Sequence, residues 1–489
     1  MQPIRSPVFR PLLVCLAAMA VSAACSSPSS GGEPLRISKN GRFLVRGDIG
    51  REDGRPFFWL GDTAWELFHR LGKADTEHYL STRARQGFNV VQCVLLSEFG
   101  GLTVPTPEGH VPLVQLDPTR PNEAYFKHVD WVVDKASELG IYLAILPTWG
   151  SYVQDSKTAR IDHGPLFNES NAEAYGRFLG RRYRDRWNIV WVLGGDRAPT
   201  GFKKVWNAMA AGLRAGDGGR HLMTYHVNGA HCSSEYWHAA RWLDFNMIQS
   251  GHALGPFSNN YDFIRVAYHK KPVKPVIDGE ALYEDMPIGF VPSNGRAGAH
   301  HIRVNAYWAV FAGACGHTYG ANGVFQMSTD HDAREFWAAS TWRDALRFEG
   351  ARQLRHLKHL ILSRPFLTRI PDQNLLDPAP VRGAAHPQST RDGTPGKRDA
   401  TYLMVYFPYV TWTNKIDTRV IASARLRAWW FDPRTGKAIP LGESANRGTW
   451  NLEWKTRLPP GGGGPDWVLV IDAAESNYGP PGIPISRSP

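Results

Sequence analysis

The sequence predicts an α/β protein in which a (β/α)8 TIM barrel is followed by a small C-terminal antiparallel β-sandwich. Three observations carry that reading. Eight short apolar runs alternate with longer helical patterns across residues 57–324, no glycine-rich nucleotide fingerprint follows the first of them, and after residue 362 the pattern changes to short β-branched and aromatic runs. With 489 residues, 43% of them hydrophobic and 12% aromatic, the chain is too long for one ordinary domain and too apolar to stay disordered.

Residues 1–24 are expected to lie outside the mature fold. Arg5 and Arg10 precede a short apolar stretch at 12–21 and then small residues, the pattern of a secretory signal, and the stretch is too short to span a bilayer. Ser22-Ala23-Ala24-Cys25 resembles a bacterial lipobox, with serine where leucine is usual, and implies lipidation of Cys25 as the first mature residue. Residues 25–34 then read as a flexible tether, and the product as a periplasmic or outer-membrane-anchored lipoprotein. The competing expectation is simple cleavage near Ala24 and a soluble exported product. Either way the only membrane contact expected is through the anchor.

The formal charge is +11, or about +9 once Arg5 and Arg10 are removed. That balance favours acidic partners, but there is no Lys/Arg block, zinc-finger spacing or RNA-binding signature, so an anionic polysaccharide is expected rather than nucleic acid. After the signal and Cys25, the cysteines are Cys93, Cys232 and Cys315, an odd number that supports no disulfide framework.

The barrel is expected over residues 35–363. Its strands are read at 57–62, 89–96, 141–149, 189–196, 222–228, 245–251, 275–280 and 317–324, each a nearly continuous apolar run of the kind a doubly covered parallel sheet requires. Helices at 74–86, 124–139, 172–184, 202–213 and 303–311 show apolar residues at three- and four-residue spacing, and 342–362 is the last helical stretch. Residues 364–475 are assigned to the sandwich, with strands at 402–407, 425–431, 449–454 and 467–471 separated by turns such as Asp432-Pro433-Arg434-Thr435-Gly436. The Pro/Gly/Arg-rich segment 377–397 reads as a mobile loop and 476–489 as a frayed tail.

In such a barrel the chemistry lies at the C-terminal ends of the strands. The fourth strand ends in Gly195-Asp196 and the seventh in Gly279-Glu280, two carboxyls facing one another across the mouth. Glycosidic cleavage needs such a pair, a neutral acid for the leaving oxygen and an ionised carboxylate at the anomeric carbon. The competing reading of Asp196 is an N-cap for the next helix. Asp278 shares the parity of Glu280 but lies deeper and reads as a salt-bridged structural acid, while Glu98 after strand two is the next candidate carboxyl. Around the pair, Asp62, Trp65, Trp149, His226, Asn228, Gln249, His252, Tyr283 and Tyr319 follow or end strands and supply the aromatic faces and polar groups of a carbohydrate cleft. Asp62, between Gly61 and Thr63, is the strongest of these, placed to grip two sugar hydroxyls. No metal is expected, because His221, His226, His231 and His238 lack any ligand spacing, and no nucleotide or other cofactor is implied. A serine nucleophile elbow is absent.

At these residues the chain resembles the apiosidase-type glycoside hydrolases, glycoside hydrolase family one hundred and forty. The likeness rests on Phe58-Trp59-Leu60-Gly61-Asp62-Thr63-Ala64-Trp65, Gly87-Phe88-Asn89-Val90-Val91-Gln92, the strand ending at Asp196 and the segment 276–284. It implies a bacterial barrel enzyme with a C-terminal β domain named for collagen binding. It further implies Asp196 as general acid/base and Glu280 as nucleophile of a retaining reaction, with carboxyls about 5 to 5.5 Å apart. The implied substrate is a plant cell-wall polysaccharide, specifically apiose-containing pectin side chains. The rival expectations are a non-catalytic carbohydrate-binding lipoprotein and an endo-glycanase on another polysaccharide.

Overall fold

The computed structural model describes residues 32–47, 54–155, 157, 160–332, 334–409, 414–452 and 465–485. The signal segment, Cys25 and most of the tether lie outside them.

Eight parallel strands form the barrel: β1 (Trp59–Thr63), β2 (Val90–Val94), β3 (Tyr142–Leu146), β4 (Ile189–Gly194), β5 (Met223–His226), β6 (Asn246–Gln249), β7 (Val276–Glu280) and β8 (Gly316–Tyr319). Neighbours pair in the order β5-β4-β3-β2-β1-β8-β7-β6. The ring closes between β5 and β6, where Asp244 N–H donates to Met223 O at 2.8 Å and Thr224 Oγ1 to Phe245 O at 2.7 Å. Every residue of the eight strands is buried, which is why their sequences show no polar alternation. All eight predicted strands are present. The eighth ends early, because Asn322–Phe325 is a helical turn rather than strand.

Helices cover the barrel. Glu123–Glu138 is capped by Asn122, whose side chain accepts from Ala124 N–H, and Glu169–Tyr183 by an Asn168/Asn171 capping box. The predicted helical stretch 342–362 is broken into Trp342–Ala345 and Glu349–Leu362. Asn260–His269, between β6 and β7, went unread because its tyrosines and asparagines blur the apolar period.

The C-terminal region stacks a six-stranded antiparallel sheet, with Tyr402–Phe407, Trp467–Ala473 and Arg425–Phe431 at its centre, on a three-stranded one that includes Thr449–Leu452. Period-two alternation sorts its faces. Leu403, Val405 and Phe407 enter the sandwich core, whereas Tyr402, Met404 and Tyr406 join the barrel's core, with Tyr406 stacked on Tyr307 at 4.6 Å. Two buried, two-pronged ion pairs reinforce this contact, Arg303 to Asp466 (2.8 and 2.7 Å) and Arg364 to Asp472 (2.8 and 2.7 Å).

Two expectations for this region are corrected. Segment 377–397 contains a buried strand, Gln388–Arg391, paired on both sides. Its polar sequence hides it, since Arg391 is satisfied by Asp372 at 2.7 Å and Ser389 N–H by Gln373 at 2.6 Å. The tail is docked as far as residue 485: Tyr478 bonds Thr401 at 2.7 Å and Ile485 N–H donates to Leu362 O at 3.0 Å.

Candidate active site

A cavity of about 390 Å³ opens at the C-terminal ends of the strands, and Asp196 and Glu280 both line it. So do Trp65, Trp149, Asn228, Gln249, His252 and Tyr283.

Asp196 stands at the end of a sharp turn. Gly194 (φ 86°), Gly195 (φ 111°) and Asp196 itself (φ 59°) all adopt left-handed backbone, which only glycine visits freely. Two glycines are therefore required before the acid. A Cβ on Gly195 would lie 2.7 Å from Gly150 N, where the loops after β3 and β4 touch. The following helix starts at Lys203 with Phe202 as its N-cap, so Asp196 is not a helix cap. Its side chain keeps 39% of its surface open, toward the cleft.

Glu280 is held from several sides. Gln249 Nε2 donates to Oε1 at 2.9 Å and His252 Nε2 at 3.0 Å. His226 Nε2 approaches Oε2 at 3.1 Å, with its N–H off the line to the oxygen, which makes it the weaker contact. The tautomers follow from the network. Asp196 N–H donates to His226 Nδ1 at 3.3 Å and Tyr283 N–H to His252 Nδ1 at 3.4 Å, leaving both protons on Nε2, facing Glu280. Gln249 reaches this position through a bulge after Ile248, which brings it beside Glu280 in the β6/β7 register.

The two carboxyls are poised in opposite directions. Burial pushes Glu280 up, but the Nε2–H groups of His226 and His252 turned toward it outweigh this and hold Glu280 well below the usual carboxylate range. Burial and the neighbouring negative charge of Glu280 raise Asp196, against the pull of His226, Arg197 and the Gln249 amide. Surroundings that push two carboxyls apart suit one to keep a proton and the other a charge.

His226 is fully buried and is not among the residues lining the cavity; it stands edge-on to Trp65 at 5.2 Å and touches Glu280 and Asp196 instead. Trp149 and Asn228 line the cavity, and Trp149 Nε1 and Asn228 Oδ1, both buried, have no hydrogen-bond partner among the described residues. Asp62 and Tyr319 are corrected. Paired with each other in the β1/β8 register, both point outward to the helix Lys73–Arg85, where Asp62 takes bonds of 2.6 Å from both Arg83 and Tyr79 and Tyr319 donates to Glu284 at 2.8 Å. They hold the wall, not the substrate. Asp278 has no cationic partner among the described residues. Ser250 (2.8 Å) and Asn260 (2.9 Å) bond it instead, and burial raises it to about 6.

Glu98, Arg160, Phe290 and Phe336 also line the cavity. Glu98 stood among the candidate carboxyls in the sequence. The other three come from long loops that carry no motif.

Oppositely poised carboxyls at a barrel mouth are equipped to hydrolyse a glycosidic bond, and solved enzymes of that kind share this architecture. A structure described as a glycoside hydrolase is 32% identical, with 91% of this chain and 98% of its own covered and a TM-score of 0.81. A glycoside hydrolase family 5 structure from Bacteroides vulgatus ATCC 8482 is also 32% identical, over 91% and 95% of the two chains, with a TM-score of 0.81. The protein is a glycoside hydrolase, with a carbohydrate as its substrate. Residues 38–368 match the family described as "Apiosidase-like, catalytic domain", to which the chain belongs. Residues 370–472 match "Putative collagen-binding domain of a collagenase". No curated protein matches the chain.

Proposed function

We propose that the enzyme releases apiose-linked side chains from pectic polysaccharide by a retaining double displacement. The opposite poise of the two carboxyls carries this reading. Ionised Glu280 attacks the anomeric carbon while protonated Asp196 gives its proton to the leaving oxygen, so the glycosidic C–O bond breaks as the enzyme ester forms. Asp196, now a carboxylate, takes a proton from water. The resulting hydroxide attacks the anomeric carbon, the ester bond breaks, and both side chains return to their starting states.

Gln249 donates to Glu280 at 2.9 Å and stands close enough to Asp196 to pull on its carboxyl as well. One amide acting on two carboxyls favours the direct-attack spacing of about 5 to 5.5 Å over the roughly 6.5 to 9.5 Å that admits a water. The apiosidase-like family and the chain's charge of +11 support an anionic pectic substrate. The lipobox-like Ser22-Ala23-Ala24-Cys25 supports an exported enzyme anchored through Cys25.

The test is a screen of pectic and hemicellulosic oligosaccharides with product identification, run beside Glu280→Gln. Release of apiose from pectic fragments by the wild type alone is expected. Wild-type turnover by the variant would remove Glu280 as nucleophile, and activity confined to hemicellulose would overturn the substrate.

A further inference from the structure

Glu98 follows β2 and lines the cavity, yet it takes no part in the scheme above. Only 8% of it is exposed, and its carboxyl makes no hydrogen bond or ion pair among the described residues. Neither carboxyl oxygen is closed off from the cavity, so a ligand bound there would meet an acid that has no partner among the described residues. Its position is also built with strain. Phe99, the next residue, is left-handed at φ 51°, pinned by its N–H to Arg160 O at 2.8 Å, a conformation that costs about 1–3 kcal/mol. The Arg160 guanidinium in turn lies over the Phe336 ring at 4.8 Å.

Glu98 shares the cavity wall with Arg160 and Asp196. The ends of β2, β3 and β4 are knit side by side, Trp149 N–H donating to Leu96 O at 3.0 Å and Gly150 N–H to Gly195 O at 3.1 Å, and Glu98 accordingly feels Asp196 and Arg197 whereas Glu280 is governed by His226 and His252. Glu98 is thus on the acid's side of the cleft. The acid of a glycosidase stands at the leaving oxygen, so groups on its side meet the leaving residue.

We infer that Glu98 is a specificity-determining residue that hydrogen-bonds a hydroxyl of the sugar on the leaving-group side of the scissile bond. Arg160 and Phe336 form the rim of the same subsite. The inference rests on Asp196 being the acid. Burial pushes Glu98 up to about 8, so at neutral pH it is protonated and can donate as well as accept. A glutamine can do the same.

The test compares an oligosaccharide with the 4-nitrophenyl glycoside of the same released sugar, the pair being taken from a panel by wild-type turnover. For Glu98→Ala, kcat/KM on the oligosaccharide is expected to fall at least about tenfold, chiefly through KM, the scale of one lost hydrogen bond in a desolvated site. The nitrophenyl glycoside, which has no hydroxyl to lose, should change less than about threefold, and Glu98→Gln should recover most of the oligosaccharide rate. Melting temperatures should not fall in either variant, since the acid being removed has no partner among the described residues. Equal losses on both substrates, no rescue by glutamine, or a marked drop in Tm would overturn the assignment and make Glu98 structural. Asp196→Asn serves as the control for the acid. It should spare kcat/KM on the nitrophenyl glycoside, which reports only the first step and whose leaving group needs no proton, while kcat falls for want of a base in the second; a kcat/KM loss there equal to that on the oligosaccharide would sink the acid role without altering how the Glu98 comparison reads.

Discussion

His252→Phe is the most informative single change near the nucleophile. It keeps a ring of similar size but removes the Nε2–H that reaches Glu280 Oε1 at 3.0 Å, leaving Gln249 on that oxygen and His226 on the other. A hydrogen bond to a charged group contributes about 1.5–3 kcal/mol, and one pKa unit corresponds to about 1.4 kcal/mol, so Glu280 should rise by about one to two units. Glu280 must be ionised to attack. The acid limb of kcat/KM, set by its depressed value, should therefore move up by the same one to two pH units, while the alkaline limb, set by Asp196, stays in place. Folding stability should follow the same sign. A depressed carboxylate stabilises the fold above its unfolded value near 4.5, and that contribution is lost as pH falls through the folded value, so the variant loses it at higher pH than the wild type. The assay is a pH profile of initial rates beside melting curves. A uniform loss of activity with an unmoved acid limb would refute the claim that His252 holds Glu280 ionised.

Other consequences are separable. Asp196→Asn should lower kcat on oligosaccharides by about 10²–10⁴-fold, as loss of a general acid does, and should abolish the alkaline limb. Gly195→Ala places a Cβ 2.7 Å from Gly150 N at φ 111°; strain of about 1–3 kcal/mol at the turn should cut kcat/KM tenfold or more, and unchanged kinetics would show that the turn does not aim Asp196. Arg83→Leu strands the buried carboxylate of Asp62 and should destabilise the fold by about 3–5 kcal/mol in denaturant titrations. At a temperature where the variant is folded its KM should be unchanged; a raised KM would return Asp62 to the substrate site.

What was legible in the sequence and what was not divide along one physical line. Strands buried on both faces are nearly continuous apolar runs, so the eight staves stood out by length and spacing, and a charged residue ending one, such as Asp196 or Glu280, was conspicuous. The same lack of alternation conceals which way a strand residue points. That is why Asp62 and Tyr319 were assigned to the cleft when register turns them toward Arg83 and Glu284. The bulge that swings Gln249 beside Glu280 and the two separate loops that bring Arg160 and Phe336 to the rim are products of tertiary contact, with no periodic signature. Gln388–Arg391 was hidden differently, a strand whose polar side chains are paid for by partners scattered between residues 372 and 394.

The central claim is that Glu280 becomes covalently bound to the sugar while Asp196 manages the proton. Asp196→Asn treated with a 2,4-dinitrophenyl glycoside of the released sugar isolates that step, because the leaving group departs unaided and no base remains to activate water. Intact-mass and peptide mapping should show one added glycosyl residue on the peptide carrying Glu280. A glycosyl residue on any other side chain, or rapid turnover to a product of inverted configuration with no adduct, would contradict it.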